Sequence, residues 1–200
     1  ELGQSILSHT LLIIGLITSL YGVIGAIGVD RLRRFVGFMI LSSIGTILVA
    51  FSMMNEAAWS AGLYYLIHST IIAASFYLLC GWITSQRGVL KDHLKIAPKM
   101  KQDKIIAASF FLIALMMAGL PPFSGFLGKV LILQATANFA YQGWVIGIVL
   151  LVSLLSILAF TRVGFVLFWR ATSPENNPAE QAYADYQNLP NQAPVRNDWT

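Results

Sequence analysis

The sequence predicts an all-α membrane protein with five transmembrane helices, and three observations support this fold class. Of the 200 residues, 56% are hydrophobic and only 11% are charged. A soluble domain has about 25% charged and about 45–50% apolar residues, so both fractions indicate a chain surrounded by lipid. The third observation is that the apolar residues form long runs without charge. Together these features exclude a cytosolic enzyme, a disordered tail and a secreted disulfide scaffold.

Each charge-free run is long enough for a membrane helix, which needs about 20 apolar residues. The runs are much longer than the ~9–11 residues of a barrel strand and do not alternate polar with apolar residues. In chain order they predict five spans, namely Ile6–Ile27, Phe35–Met54, Trp59–Thr84, Ile105–Thr136 and Trp144–Trp169. The spans define a membrane domain over residues 1–170. Residues 171–200, rich in proline, asparagine and glutamine, predict a flexible cytoplasmic tail or an excised loop.

Charged residues set the limits of the first three spans and the start of the fourth. The first run ends before Asp30, the second lies between Arg34 and Glu56, and the third lies between Glu56 and Arg87. The fourth follows Lys104, and an uncharged polar turn separates it from the fifth. Every predicted element therefore has a boundary that can be read from the chain.

The basic residues predict the orientation of the chain, because lysine and arginine accumulate in cytoplasmic loops. They lie after the first span, after the third span and towards the end of the fifth, at Arg31, Arg33, Arg34, Arg87, Lys91, Lys95, Lys99, Lys101, Lys104, Arg162 and Arg170. This distribution places the N-terminus outside and the tail in the cytoplasm. The net charge of +4 is thus a sign of membrane orientation, and no nucleic-acid partner is expected. Arg33, Arg34 and Arg162 are predicted to mark the cytoplasmic interface.

The fourth predicted span is too long for one straight crossing. At ~1.5 Å per residue, Ile105–Thr136 would extend about 48 Å, against a hydrocarbon core of about 30 Å. Two adjacent prolines remove backbone donors within it, and the glycines on either side permit unwinding. We therefore predict a discontinuous helix whose hinge lies between Gly119 and Gly125 and includes Gly119, Pro121, Pro122 and Gly125.

Two ionisable residues inside the spans are the candidate functional groups. Lys129 follows the predicted break by one to two turns, and His68 lies in the middle of the third span. Charges in a membrane core are costly and usually functional, and histidine exchanges protons near neutral pH, so the pair predicts a proton relay. The alternatives are a lysine that extends to the interface and a histidine that only satisfies helix contacts. A possible hydrated path comprises Tyr64, Tyr65, Ser42, Ser43 and Thr46, although hydroxyl groups in membrane helices more often stabilise packing.

The sequence offers no pattern for a bound cofactor or metal. Cys80 is the single cysteine and cannot form an internal disulfide, and no Cys/His spacing fits a zinc or iron–sulfur site. Motifs for a nucleophilic enzyme are also missing from the sequence. These absences argue against a nucleophilic enzyme and against redox cofactors held by this chain.

Three segments carry a resemblance to a known family. They are LRRFVGFMILSSIG at 32–45, LYYLIHST at 63–70 and GLPPFSGFLGK at 119–129. Together they resemble the antiporter-like membrane subunits of respiratory complex I, membrane hydrogenases and multisubunit Mrp/Pha cation/proton antiporters. Within this superfamily the segments are most similar to the D-type subunits of the Mrp/Pha antiporters.

The resemblance implies a fold and a role. Residues 1–170 would form the second of two inverted five-helix repeats, a half-channel whose fourth helix is broken. Lys129 would be the lysine of the outlet, and His68 would connect it to the centre of the membrane. The chain would be a secondary transporter subunit with protons and Na⁺ or K⁺ as its ions. It would sit in a bacterial inner membrane with other hydrophobic subunits as partners.

Two alternatives remain open at this stage. The chain could be a proton-pumping subunit of a complex I-like or hydrogenase-like redox complex, or a structural membrane scaffold in which Lys129 and His68 only make helix contacts. Ile72 stands where some members of the family have a lysine, which argues against one of the complex I subunits.

Overall fold

The computed structural model describes residues 2–95, 100, 102–137 and 139–169. In these ranges the chain forms six α-helices, α1 (Leu2–Gly28), α2 (Leu32–Ser52), α3 (Glu56–Gln86), α4 (Asp103–Ala118), α5 (Ser124–Ala135) and α6 (Gln142–Gly164). A 3₁₀ turn at Gly88–Leu90 follows α3, and a π-helical turn at Phe165–Trp169 extends α6. The predicted tail at 171–200, together with Lys99, Lys101 and Arg170, lies outside the described residues.

Four helical segments of the described chain are long and apolar enough to cross a membrane, namely Gly3–Gly28, Leu32–Ser52, Glu56–Gln86 and Gln142–Trp169. They correspond to the first, second, third and fifth predicted spans. Each begins two or three residues earlier than predicted, and the second ends at Ser52 instead of Met54. The all-α prediction is therefore confirmed for these residues. The five-span count and the inverted repeat stay predictions.

The predicted fourth span consists of two shorter helices. The first, α4, has 16 residues and the second, α5, has 12. At ~1.5 Å per residue they are about 24 Å and about 18 Å long, so neither alone matches a core of about 30 Å. The chain between Ala118 and Ser124 is not helical. Gly125, which we expected at the end of the hinge, is already part of α5.

Four phenylalanines connect four helices at one end of the bundle. Phe35 of α2, Phe76 of α3, Phe110 of α4 and Phe160 of α6 are all at most 3% exposed. Their ring centroids lie 5.2–6.1 Å apart in the contacting pairs, which is the range for favourable aromatic pairs. This cluster holds α4 in place ahead of the break.

Small residues allow α1 and α2 to pack closely. A β-carbon at Gly22 would overlap the backbone of Ser42, and one at Gly45 would overlap the backbone of Ser19. The Ser42 hydroxyl donates a hydrogen bond to the Ser19 carbonyl at 2.9 Å. Small residues let membrane helices approach closely, and these contacts pack α1 tightly against α2.

The two basic loops pair with each other at the end of the bundle where α1 ends. The Leu32 amide donates to the Asp92 carbonyl at 2.7 Å, and the Leu94 amide donates to the Asp30 carbonyl at 2.8 Å. Arg87 is only 7% exposed, and its guanidinium donates to the carbonyls of His93 and Lys95. Burial lowers the pKa of the Arg87 guanidinium from its usual range; its two carbonyl partners compensate for part of the lost hydration.

Candidate functional site

The break between α4 and α5 forms at Gly119. This residue has φ 80° and ψ 51°, the left-handed conformation in which glycine commonly ends a helix. The amides of Gly119 and Leu120 both donate to the Leu115 carbonyl at 3.1 Å. A turn containing a cis Pro121–Pro122 bond follows, and α5 begins directly after Phe123. Both prolines are exposed, so these two hinge residues border the site without entering it.

Lys129 closes back onto the end of α4. Its side chain is buried, with 7% of its surface exposed, and its ammonium donates to the Ala118 carbonyl at 2.7 Å and to the Ser153 hydroxyl at 2.9 Å. The last carbonyls of a helix lack intrahelical partners and carry the negative end of its dipole. The broken helix thus supplies a hydrogen-bond acceptor for the Lys129 ammonium inside the bundle.

His68 bridges the two half-helices from α3. Its Nε2 lies 3.3 Å from the Met116 carbonyl oxygen, and its Nδ1 lies 2.9 Å from the Ser124 hydroxyl. A carbonyl can only accept, so Nε2 carries the proton in this arrangement and Nδ1 accepts from Ser124 when the ring is neutral. His68 therefore contacts the end of α4 and the start of α5 together.

Two glycines of α5 make this arrangement possible. A β-carbon on Gly125 would overlap the Met116 carbonyl oxygen and come within 2.8 Å of His68 Nε2. A β-carbon on Gly128 would lie 2.8 Å from the ring of Tyr65. These glycines therefore let α5 approach both α4 and α3, which brings His68 and Lys129 to the same break.

The predicted hydrated path is divided in the structure. Tyr65 and Ser43 line a crevice beside His68 that is too narrow for a water molecule, together with Ser69, Ile72 and Met117. The hydroxyls of Ser42 and Thr46 instead donate to backbone carbonyls, of Ser19 and Ser42 respectively. Tyr64 is 36% exposed and faces outward more than Tyr65 does.

The predicted interfacial arginines lie apart from the site. Arg33 and Arg34 are exposed at the start of α2. Arg162 donates to the carbonyls of Ile27 and Val29 and lies 3.9 Å from the Asp30 carboxylate. This arginine therefore satisfies carbonyls at the end of α1, a role that its position in the sequence did not reveal.

Sequence reasoning also missed Ser153 and Ser124 as partners of the two ionisable residues. Serines in apolar helices commonly bond their own backbone, and Ser153 does so, with its hydroxyl donating to the Val149 carbonyl at 2.9 Å. Only the fold brings α6 beside Lys129. Ser124 had one local signal, because it directly follows the turn after the double proline.

The fold and the site define a class of protein: a membrane chain of several helices, one of them broken, with a buried lysine at the break. Residues 3–194 match the family described as NADH:quinone oxidoreductase/Mrp antiporter, TM, and the chain belongs to this family. It is therefore a multi-pass membrane protein of the antiporter-like class, and the resemblance found in the sequence is confirmed.

Individual relatives agree with this assignment. The chain is 31% identical to a D-type Na(+)/H(+) antiporter subunit of Bacillus subtilis (strain 168), over 81% of this chain and 33% of the relative. It is 27% identical to a probable D-type K(+)/H(+) antiporter subunit of Rhizobium meliloti (strain 1021), over 78% of this chain and 34% of the relative. The chain thus spans about a third of the length of these relatives.

Solved structures show the same fold. A chain of the Mrp complex from Dietzia sp. DQ12-45-1b matches with a TM-score of 0.76 and 30% identity, over 83% of this chain and 31% of that chain. A chain of respiratory complex I from Thermus thermophilus matches with a TM-score of 0.76 and 23% identity, over 84% of this chain and 35% of that chain. The second match supports the fold alone.

Proposed function

We propose that the chain is a proton-translocating part of a membrane subunit in a monovalent cation/proton antiporter, with Lys129 and His68 as its proton relay. The observation that carries the proposal is the pair of partners at Lys129. Its ammonium bonds to a carbonyl and a hydroxyl, both neutral, while the side chain is almost fully buried.

Opposing influences make both charge states of such a lysine accessible. Desolvation favours the neutral amine, whereas the carbonyl end of a helix favours the cation. A lysine held by a carboxylate would form a fixed ion pair instead. Lys129 and His68 contact the same end of α4, at Ala118 and Met116, which supports placing both on one proton path.

The names of the relatives support antiport as the process. They are D-type subunits of Na⁺/H⁺ and K⁺/H⁺ antiporters, and the Mrp complex shares the fold at 30% identity. By the same reasoning, the chain works within a hetero-oligomer of hydrophobic subunits in a bacterial inner membrane, with its basic loops in the cytoplasm. It acts as a secondary transporter subunit, and Na⁺ and K⁺ are the candidate cations.

The test uses everted membrane vesicles that contain the complete assembly. A preformed pH gradient is monitored while Na⁺ or K⁺ is added, for the wild type and for Lys129→Ala at matched protein level. Cation-dependent collapse is expected in the wild type and its loss in the variant. Lys104→Ala is the control, because Lys104 is an exposed lysine in the first turn of α4 and its removal should leave exchange unchanged.

A second pair of variants tests His68. Gln can bond to the Met116 carbonyl but cannot hold a proton, so His68→Gln should stop exchange while preserving assembly. His9→Gln is the matched control, since His9 is an exposed histidine of α1. Wild-type exchange in a well-assembled Lys129→Ala or His68→Gln assembly would contradict the relay.

The vesicles also test the redox alternative. If no cation collapses the gradient and a redox substrate acidifies the wild-type vesicles, the chain belongs to a redox-driven pump. If Lys129→Ala and His68→Gln impair only assembly, the scaffold role replaces the transport role.

A further inference from the structure

Lys129 and His68 have hydrogen-bond partners of the same two kinds. Each residue contacts one carbonyl at the end of α4, at Ala118 and Met116 respectively. Each also contacts one serine hydroxyl, at Ser153 for the lysine and at Ser124 for the histidine. The two kinds of partner differ chemically, because a carbonyl can only accept whereas a hydroxyl can accept and donate.

This difference matters when Lys129 changes its charge. As the ammonium releases its proton to the transport path, one N–H bond breaks and the electron pair stays on Nζ as a lone pair. The neutral amine then needs a hydrogen-bond donor, because a buried unsatisfied group is costly. The Ala118 carbonyl cannot supply one.

From this contact we infer that Ser153 is a positioning residue for proton transfer at Lys129. Its hydroxyl accepts a hydrogen bond from the charged ammonium and donates one to the neutral amine. In the structure the Ser153 hydroxyl donates to the Val149 carbonyl and accepts from the ammonium. Rotation of the O–H about the Cβ–Oγ bond redirects its proton from Val149 to the lone pair on Nζ. This rotation moves only the hydroxyl hydrogen, so Nζ keeps a hydrogen-bond partner in both charge states of the lysine.

The location of Ser153 fits this role. Ser153 lies on α6, outside the broken helix. The two partners of Lys129, the Ala118 carbonyl and the Ser153 hydroxyl, therefore belong to different helices. His68 shows the same design with Ser124, whose hydroxyl donates to Nδ1 of the neutral ring and can accept from Nδ1 of the protonated ring. The recurrence of this arrangement at both ionisable residues supports a functional role for the hydroxyls.

The same helix contains a matched control. Ser156 lies three residues further along α6, is 2% exposed, and its hydroxyl donates to the Val152 carbonyl at 2.7 Å. This bond has the same i to i−4 spacing as the bond from Ser153 to Val149. Ser153→Ala and Ser156→Ala therefore each remove one backbone hydrogen bond of the same kind. Only Ser153→Ala also removes the contact with Lys129.

The inference rests on the proposed transport role, and the experiment uses the same vesicles with the complete assembly. Initial exchange rates are measured over a range of cation concentrations to separate the maximal rate from the KM for the cation. Because Ser153→Ala leaves the buried Lys129 without its hydroxyl partner, it should lower the maximal rate at least about tenfold with little change in KM. Ser156→Ala should remain close to the wild type.

Ser153→Thr provides the rescue. Threonine keeps the hydroxyl and can make the same backbone bond in α6, as Thr161 does with the Ile157 carbonyl at 2.8 Å. This variant should retain most of the wild-type rate. If Ser153→Ala does not assemble, Ser153→Cys replaces it, because a thiol is a weak hydrogen-bonding group, and the same loss of rate is expected.

Three results would overturn the role of Ser153. They are equal rates for Ser153→Ala and Ser156→Ala, a Ser153→Thr variant as slow as the alanine variant, and an effect confined to KM. Lys129→Ala separates this inference from the transport role. If Lys129→Ala stops exchange and Ser153→Ala does not slow it, only the serine inference fails; if Lys129→Ala exchanges normally, the transport role fails.

Discussion

The ammonium of Lys129 donates a 2.7 Å hydrogen bond to the carbonyl of Ala118, the last residue of the helix that precedes its own. The lysine thus satisfies a carbonyl that the break in the helix leaves without an intrahelical partner. The break and the buried charge are therefore one structural unit. Disturbing either of them should affect the other.

Gly119→Ala should weaken this unit. The change forces φ 80° on a residue with a side chain and places its β-carbon 2.8 Å from Lys129 Cδ. The left-handed conformation alone costs about 1–2 kcal/mol, so the thermal unfolding midpoint of the purified assembly in detergent should fall and exchange should slow. Gly81→Ala is the control, because a β-carbon there meets no atom within 4 Å. Equal midpoints for the two variants would contradict the strain at Gly119.

Gly125→Ala should separate the two half-helices. Its β-carbon would overlap the Met116 carbonyl oxygen and lie 2.8 Å from His68 Nε2. Overpacking typically costs about 1–3 kcal/mol, and here the shift would also break the bond between His68 and Met116. We expect a lower unfolding midpoint together with loss of exchange. Gly147→Ala in α6, where a β-carbon has open space, should change neither quantity; an equally active Gly125→Ala assembly would refute the close approach.

Arg162 should matter more than its acidic partner. Arg162→Ala removes hydrogen bonds to the carbonyls of Ile27 and Val29, at about 0.5–1.5 kcal/mol for each bond. Asp30→Asn removes only an exposed ion pair at 3.9 Å, and such pairs contribute about 0–1 kcal/mol. The unfolding midpoint should therefore fall clearly for Arg162→Ala and little for Asp30→Asn. The reverse order would mean that the ion pair, and not the contact with the end of α1, is the stabilising element.

Arg87→Met should loosen the loop between α3 and α4. Methionine fills the buried volume but cannot donate to the carbonyls of His93 and Lys95. Leaving such groups unpaired costs about 1–3 kcal/mol, and local opening exposes a loop to proteases. Limited trypsin digestion should cut after Lys95 faster than in the wild type.

The control for this loop is Lys91→Met, which removes an exposed basic side chain from the same segment. Cleavage after Lys95 should then stay at the wild-type rate. If Arg87→Met is cut no faster than Lys91→Met, the buried guanidinium does not hold the loop.

The sequence by itself determined the helical membrane class and the position of the break. Long charge-free runs form helices in lipid, because a helix makes all of its backbone hydrogen bonds within its own segment. The excess length of 105–136 and the Gly-Leu-Pro-Pro segment predicted the interruption, which the structure places between Ala118 and Ser124. These are local properties of the chain, so they can be read without the fold.

Only the tertiary structure decided which groups surround the two ionisable residues. Ser153 lies 24 residues after Lys129, and Met116 lies 48 residues after His68, so no local pattern connects them. The approach of α5 to α4 and α3 depends on Gly125 and Gly128, whose neighbours come from other helices. The capping of α1 by Arg162 joins residues 135 and 133 positions apart in the chain. Such contacts depend on how the helices pack, and packing is set by the shapes of all the helices together and not by any one segment.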